Sequence, residues 1–216
     1  FDVNGEEVGI STHEFADIRG LIGKPGKYED YKYTDSSFRG FREEGDLQFL
    51  KDLDTSPPTA KAWNDFVEAI NTASIFAIIT ARGHRPSTLK RGVLKLIKMN
   101  YGGINRKQLK KNLKKYADIV KRPVLSIEDY LDLCKFYPVS YGVKEGAANP
   151  EQLKVQAMRE FESYVTNLNS QMGLGSAPYV QIGFSDDDLK NYELMSKHFP
   201  HITTKYTGKP VEEPQK

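Results

Sequence analysis

At 216 residues, with 38% hydrophobic and 28% charged residues and a net charge of +2, the chain has the composition of one large globular domain, or of a core with an insertion. No apolar stretch approaches the roughly 18 residues of a membrane span, and the first residues carry no signal-peptide apolar region. A single cysteine, Cys134, excludes an internal disulfide and fits a reducing, cytoplasmic compartment.

In chain order, residues 1–57 read as a hairpin followed by an irregular, cap-like excursion. Asn4-Gly5 is the favoured two-residue turn signal, which predicts a hairpin over Val3–Ile10. Ser56-Pro57-Pro58 then opens a helix with Trp63, Phe66, Val67 and Ile70 on one face. The run Ile75-Phe76-Ala77-Ile78-Ile79-Thr80 reads as a buried strand that Gly83 and Pro86 end sharply. Pro86-Ser87-Thr88 opens a second helix, stopped by Gly102-Gly103. A third, strongly basic helix covers about Arg106 to Ala117, and a short one Ile127 to Phe136. From Pro150 a long helix buries Leu153, Ala157, Phe161, Tyr164, Val165 and Leu168, until Gly173-Leu174-Gly175 ends it. A second apolar strand, Tyr179 to Phe184, runs into Ser185 and three acids, Asp186, Asp187 and Asp188. A helix over Asp188–Phe199, a strand over His201–Tyr206 and a mobile tail at 207–216 complete the chain. Strands alternating with helices predict an α/β fold over 58–206, a doubly wound parallel sheet with helices on both faces. The basic stretch at about 103–150 is then an insertion.

One strand end offers a hydroxyl suited to phosphate, the other carboxylates suited to magnesium, at the edge where open α/β sheets bind ligands. Taken singly each has a plainer reading. Thr80 is an ordinary strand terminus, Lys154 a solvated charge, and Asp188 a helix cap. Their order, Thr80 then Lys154 then Asp186-Asp187-Asp188, resembles the haloacid dehalogenase-like (HAD) superfamily, and the chain is similar to its phage and bacterial phosphatases. The resemblance implies a Rossmann-like core, an aspartyl-phosphate intermediate and a Mg2+ cofactor. It gives Thr80, in "FAIITARG", the second motif's hydrogen bond to the phosphoryl group. Lys154, in "EQLKVQAMREF", takes the third motif's charge-offsetting role. In "GFSDDDLKN", Asp186 and Asp187 become the metal-holding acids, with Asn191 matching an asparagine found after them in some members. Ala81, Arg82 and His84, just past Thr80, are the candidates for substrate contact.

The family's first motif, an apolar strand ending in Asp-x-Asp, is not found intact. Phe1-Asp2-Val3-Asn4 and Asp52-Leu53-Asp54-Thr55 approach it, but neither follows an apolar run. The preferred expectation sets the nucleophile strand upstream of Phe1. The substrate class that follows is a phosphomonoester.

The basic helix carries Arg106, Lys107, Lys110, Lys111, Lys114 and Lys115, with Leu109 and Leu113 on the opposite side. Its plain reading is a solvated face. Its functional reading is sequence-blind phosphate-backbone contact through Lys110, Lys111 and Lys114. That contact would make a nucleic-acid phosphate end a reasonable substrate. It also supports the alternative of a catalytically degenerate HAD-like binding domain, acting on nucleic acid or within a larger assembly. No Gly-rich phosphate loop favours a kinase-like nucleotide binder.

Overall fold

Asn4 and Gly5 take φ values of +55° and +89°, the left-handed pair that a tight hairpin turn demands. They join β1 (Asp2–Val3) to β2 (Glu6–Glu7) in antiparallel register, and β3 (Tyr31–Lys32) pairs with the other edge of β1. The hairpin is thus shorter than Val3–Ile10 and begins one residue earlier. The computed structural model describes residues 1–10, 12–34, 36–143, 149–171 and 181–208. The first 57 residues are more regular than expected. They include α1 (Thr12–Ile18), 3-10 turns at Arg39–Phe41 and Glu43–Gly45, and α2 (Asp46–Asp52). Phe1, Phe15, Tyr31, Tyr33 and Phe38 gather into one aromatic cluster, with ring centroids 5.1 to 6.2 Å apart.

The next stretch builds a parallel strand pair with helices packed on it. α3 (Trp63–Asn71) starts five residues after Pro58 rather than at it, and leads to β4 (Ala77–Thr80), two residues shorter at its start than the apolar run. Then come α4 (Pro86–Met99), α5 (Arg106–Val120), α6 (Ile127–Leu133) and β5 (Lys135–Pro138). β5 lies parallel to β4, from Ala77 opposite Lys135 to Thr80 opposite Pro138. The helix that the sequence predicts through to Phe136 stops at Leu133. Instead Cys134 turns extended, and the Lys135 amide donates to the Phe76 carbonyl at 2.9 Å. At its other end α6 is fixed by a capping box, Ser126 with Asp129.

The last stretch builds a second pair. α7 (Pro150–Gln171) precedes β6 (Gly183–Asp186), α8 (Leu189–His198) and β7 (Thr203–Tyr206), and β6 and β7 are parallel. Tyr179 and Val180 of the expected strand lie outside the described residues, as do the glycines expected to end α7 and positions 209–216 of the expected tail. In the described part the strand reaches further than expected, so Ser185 and Asp186 belong to it.

The fold is therefore mixed α/β, with two separate two-stranded parallel sheets, β4-β5 and β6-β7. Each has its own apolar core. Ile70, Phe76, Val93, Ile97, Leu109, Tyr130 and Leu131 pack beside the first, so α5 contributes Leu109 and Leu113 to that core. Val155, Met158, Met195 and Phe199 pack beside the second, with Ile79 reaching over from β4. Cys134 is 3% exposed, and burial pushes its thiol up to about 11. It is thus a small core residue in its protonated form. Among the described residues no helix is long and apolar enough to cross a membrane.

Candidate functional site

The C-terminal ends of β4 and β6 carry Thr80 and Asp186. Their preceding residues, Ile79 and Ser185, line one cavity of about 530 Å3 that lies between the two sheets. Lys154, one turn into α7, sends its ammonium to Asp186, with Nζ donating to Oδ2 at 2.8 Å. Its neighbours Val155 and Met158 pack in the same cluster as Ile79, so α7 ties the two strand ends together. The two side chains of the pair are 10% and 9% exposed. A charge removed from water this far persists only with a partner.

Asp186 does more than pair with Lys154. Its Oδ1 accepts from the Asp188 amide at 2.8 Å and from Asn191 Nδ2 at 3.2 Å. Asp188 caps α8 by accepting from the Lys190 amide at 2.9 Å, as the cap reading expects. Burial pushes the Asp188 carboxyl up, but the Arg19 hydrogen bond and charge, the Lys190 amide and Lys154 together bring it below its ordinary value. Arg19 comes from the turn after α1, so the N-terminal lobe reaches this corner. Asp187 is exposed.

A hard cation fits the chemistry of these donors. Magnesium takes oxygen ligands and usually one or two carboxylates, with water and substrate supplying the rest. Asp186, Asp187 and Asp188 are the carboxylates at this corner, and Asp188 is already engaged by Arg19 and the Lys190 amide. Asn191 Oδ1 is a buried acceptor with no hydrogen-bond partner among the described residues, on a side chain that already donates to Asp186. The set is sparse: among the described residues no group of three or more His, Cys, Asp or Glu side chains could hold a metal.

The residues after Thr80 are arranged otherwise than their proximity suggests. Ala81 is exposed. The Arg82 amide donates to Thr80 Oγ1 at 3.3 Å, while its guanidinium lies over the Phe41 ring at 4.6 Å. Burial lowers the Arg82 guanidinium from its ordinary value, with Asp52 opposing the shift. His84 is completely buried. Its Nδ1 stands 3.1 Å from Asp46 Oδ1, its Nε2 3.4 Å from Arg82 Nη1, and its ring 4.8 Å from that of Phe49. The carboxylate only accepts and the guanidinium only donates, so a proton on Nδ1 satisfies both. Thr88 Oγ1 donates to the other oxygen of Asp46 at 2.8 Å. In this conformation His84 anchors the loop and has no surface to offer a substrate.

Asp46 and Arg19 were not singled out from the sequence. No local signal marks them, since their partners lie 38 and 169 positions away. Asp2 and Asp52 stand elsewhere. Asp2 accepts from the Gly5 amide at 3.3 Å within the hairpin, and Asp52 closes α2 while accepting from Gln48 at 2.6 Å. Neither lines the cavity.

The basic residues of α5 occupy a different surface. Arg106, Lys107, Lys110, Lys111, Lys114 and Lys115 are all exposed, while Leu109, Leu113 and Ala117 are buried. No family model, curated protein or solved structure matches the chain.

Proposed function

We propose that this chain belongs to a magnesium-dependent phosphomonoester hydrolase of HAD type. The observation that carries the reading is the buried Lys154–Asp186 pair at the end of β6, joined through α7 to the strand that ends in Thr80. Phosphoryl transfer needs positioned donors for charge spread over the equatorial oxygens. Thr80 supplies a hydroxyl and Lys154 an ammonium already held at one angle by Asp186. Asp186 and Asp187 would hold magnesium, with Asn191 Oδ1 as a further oxygen. The metal would supply charge to offset that on the phosphate. The nucleophile is a carboxylate on a strand upstream of Phe1.

Two measurements test this. Intact mass and N-terminal sequencing of the polypeptide from its source establish whether an apolar strand ending in Asp-x-Asp precedes Phe1. That polypeptide is then assayed for magnesium-dependent hydrolysis of an aryl phosphate. Asp186→Asn is expected to lower kcat/KM about 100-fold or more, the scale of losing one electrostatic element of such a site. Equal rates in variant and parent overturn the reading, and so does the absence of the upstream strand.

A second reading rests on α5. Six cations exposed on one helix, none in an ion pair among the described residues, form the electrostatic footprint of polyanion contact. We infer a sequence-blind nucleic-acid surface, either presenting a phosphate end to the site or acting in a binding domain without catalysis. Reversing Lys110, Lys111 and Lys114 to glutamate is expected to weaken single-stranded RNA or DNA binding at least tenfold at low salt and to flatten its salt dependence. Binding that ignores both the charges and the salt would rule this surface out.

A further inference from the structure

The Arg82 guanidinium is held by two rings and an imidazole. It lies over the Phe41 ring at 4.6 Å and the Phe49 ring at 5.7 Å, and its Nη1 meets His84 Nε2 at 3.4 Å. Aromatic faces attract a cation and restrict the plane of the guanidinium. The imidazole is itself fixed. His84 is completely buried and its Nδ1 meets Asp46 Oδ1 at 3.1 Å, so the carboxylate selects the tautomer whose Nε2 keeps a lone pair for Arg82. Thr88 Oγ1 donates to the second oxygen of Asp46 at 2.8 Å and keeps that carboxylate in place.

What the guanidinium lacks is an anion. Among the described residues no carboxylate forms an ion pair with Arg82. Glu43 pairs with Arg85, and Asp46 serves His84 and Arg85. Burial lowers the guanidinium from its ordinary value, and Asp52 of α2 is the carboxylate whose charge opposes the shift. Of the N–H donors on this side chain, His84 takes one. No other described residue accepts from it, and none of its nitrogens is a buried atom left without a partner, so the remaining N–H groups are reachable from outside. The backbone beneath is pinned as well, since the Arg82 amide donates to Thr80 Oγ1 and the Gly83 amide to the Phe41 carbonyl. A cation short of solvent, fixed in plane and with donors to spare, is one half of an oxyanion site.

We propose that Arg82 anchors a phosphate-binding subsite on the loop after Thr80, with Asp46 and His84 as its positioning residues. The ligand is a phosphate group, either free or carried on a larger molecule. The planar fork takes two oxygens of one anion side by side. Phosphate carries about two negative charges near neutral pH, against the single charge of a carboxylate, and so gains more from such a guanidinium. The subsite lies at the β4 end, whereas Lys154 and Arg19 are paired with Asp186 and Asp188 at the β6 end. It stands on the surroundings of Arg82 and does not depend on phosphatase chemistry at that corner.

The test is a titration of the 216-residue chain with inorganic phosphate, without magnesium and at low ionic strength, read on the Arg82 Nε–Hε and Gly83 amide resonances. Both are expected to shift saturably, and acetate should leave them in place. Arg82→Gln should weaken binding, read at Gly83, at least tenfold. His84→Phe keeps a ring against Phe49 but offers no lone pair, and should weaken binding about fivefold. His84→Gln restores an acceptor oxygen and should recover most of that loss. Both His84 variants give up the imidazole donor to Asp46, so urea unfolding should show similar stability losses while their affinities differ. Asp52→Asn should tighten binding about twofold by removing an opposing charge. Glycerol 3-phosphate tells the two sources apart: tighter binding than inorganic phosphate means a carried group, weaker binding a free ion, and either supports the subsite. No saturable shift, an equal response to acetate, or unchanged affinity in Arg82→Gln overturns it. So does loss of the shift when Lys110, Lys111 and Lys114 are reversed to glutamate, which would place the phosphate on α5. Equal affinities in the two His84 variants overturn the positioning role.

Discussion

Replacing Lys154 with methionine is expected to lower the free energy of unfolding by about 3 kcal/mol. Methionine matches the lysine stem in shape, so α7 keeps its packing through Val155 and Met158 on Met195, Phe199 and Ile79. What is lost is the ammonium, and Asp186, 9% exposed, is left as a carboxylate without its cation. Two N–H donors remain to it, from Asp188 and Asn191, which sets the expectation at the lower end of the range for breaking a buried pair. For a chain of this length that is a fall of about 6–12 °C in melting temperature. It consumes a large part of a typical 5–15 kcal/mol stability without exceeding it.

A double-mutant cycle separates the pair from its surroundings. Asp186→Asn keeps an oxygen for the Asp188 amide while removing the charge, so adding it to Lys154→Met removes both ions at once. The double variant is expected to be more stable than the sum of the two single losses predicts, by about 1.5 kcal/mol or more. Urea unfolding of the four proteins reads this directly. Additive losses would mean that the 2.8 Å contact carries no coupling and that Lys154 is fixed by packing alone. The same four proteins connect stability to function. If Asp186 acts only by holding Lys154, the double variant loses no more aryl-phosphate hydrolysis than Lys154→Met does. A further loss assigns Asp186 a role of its own.

The parts legible in the sequence are those with strong local codes. α4 begins at Pro86 as its Pro-Ser-Thr start predicts. α5 keeps its Leu109 and Leu113 stripe, and Asp188 caps α8 as the acid cluster suggested. Thr80 does end a strand, while Asp186 lies inside one that was expected to stop two residues earlier. The less legible parts depend on partners far along the chain. β5 is Lys-Phe-Tyr-Pro directly after a helix, and a strand of four residues ending in proline carries almost no period of its own. Its pairing with β4 decides it. The aromatic excursion before residue 57 looked irregular because its short elements are held by ring contacts and by Asp46. The gap between β4 and β6 has no signature in the sequence, since it belongs to two strands more than a hundred residues apart.

Asp46 is also the position where a single change should loosen the site from a distance. Asp46→Ala removes the acceptor for His84 Nδ1 and for Thr88 Oγ1, and those residues are 0% and 2% exposed. Each buried donor left without a partner costs about 1–3 kcal/mol, so a loss of about 4 kcal/mol is expected. Asp46→Asn retains one acceptor oxygen and should cost about half as much. The effect should spread beyond stability, because the same contacts hold the loop that follows Thr80. The Gly83 amide donates to the Phe41 carbonyl at 2.7 Å, and a Cβ on Gly83 would come within 3.2 Å of the Ser140 carbonyl oxygen, so this backbone is pinned on both sides. With Asp46 gone, no other described residue accepts from His84 Nδ1, and Arg82, whose amide donates to Thr80 Oγ1, loses the firm neighbour beneath it. Imidazole nitrogen resonances distinguish the outcomes. In the parent, His84 is expected to show a single tautomer protonated on Nδ1. In Asp46→Ala the two tautomers should mix, and amide exchange at 81–84 should accelerate at least tenfold. An unchanged tautomer together with an unchanged melting temperature would mean that Phe49 and Arg82 position the ring without the carboxylate, and that the anchor of the Thr80 loop lies in the Phe41 contact instead.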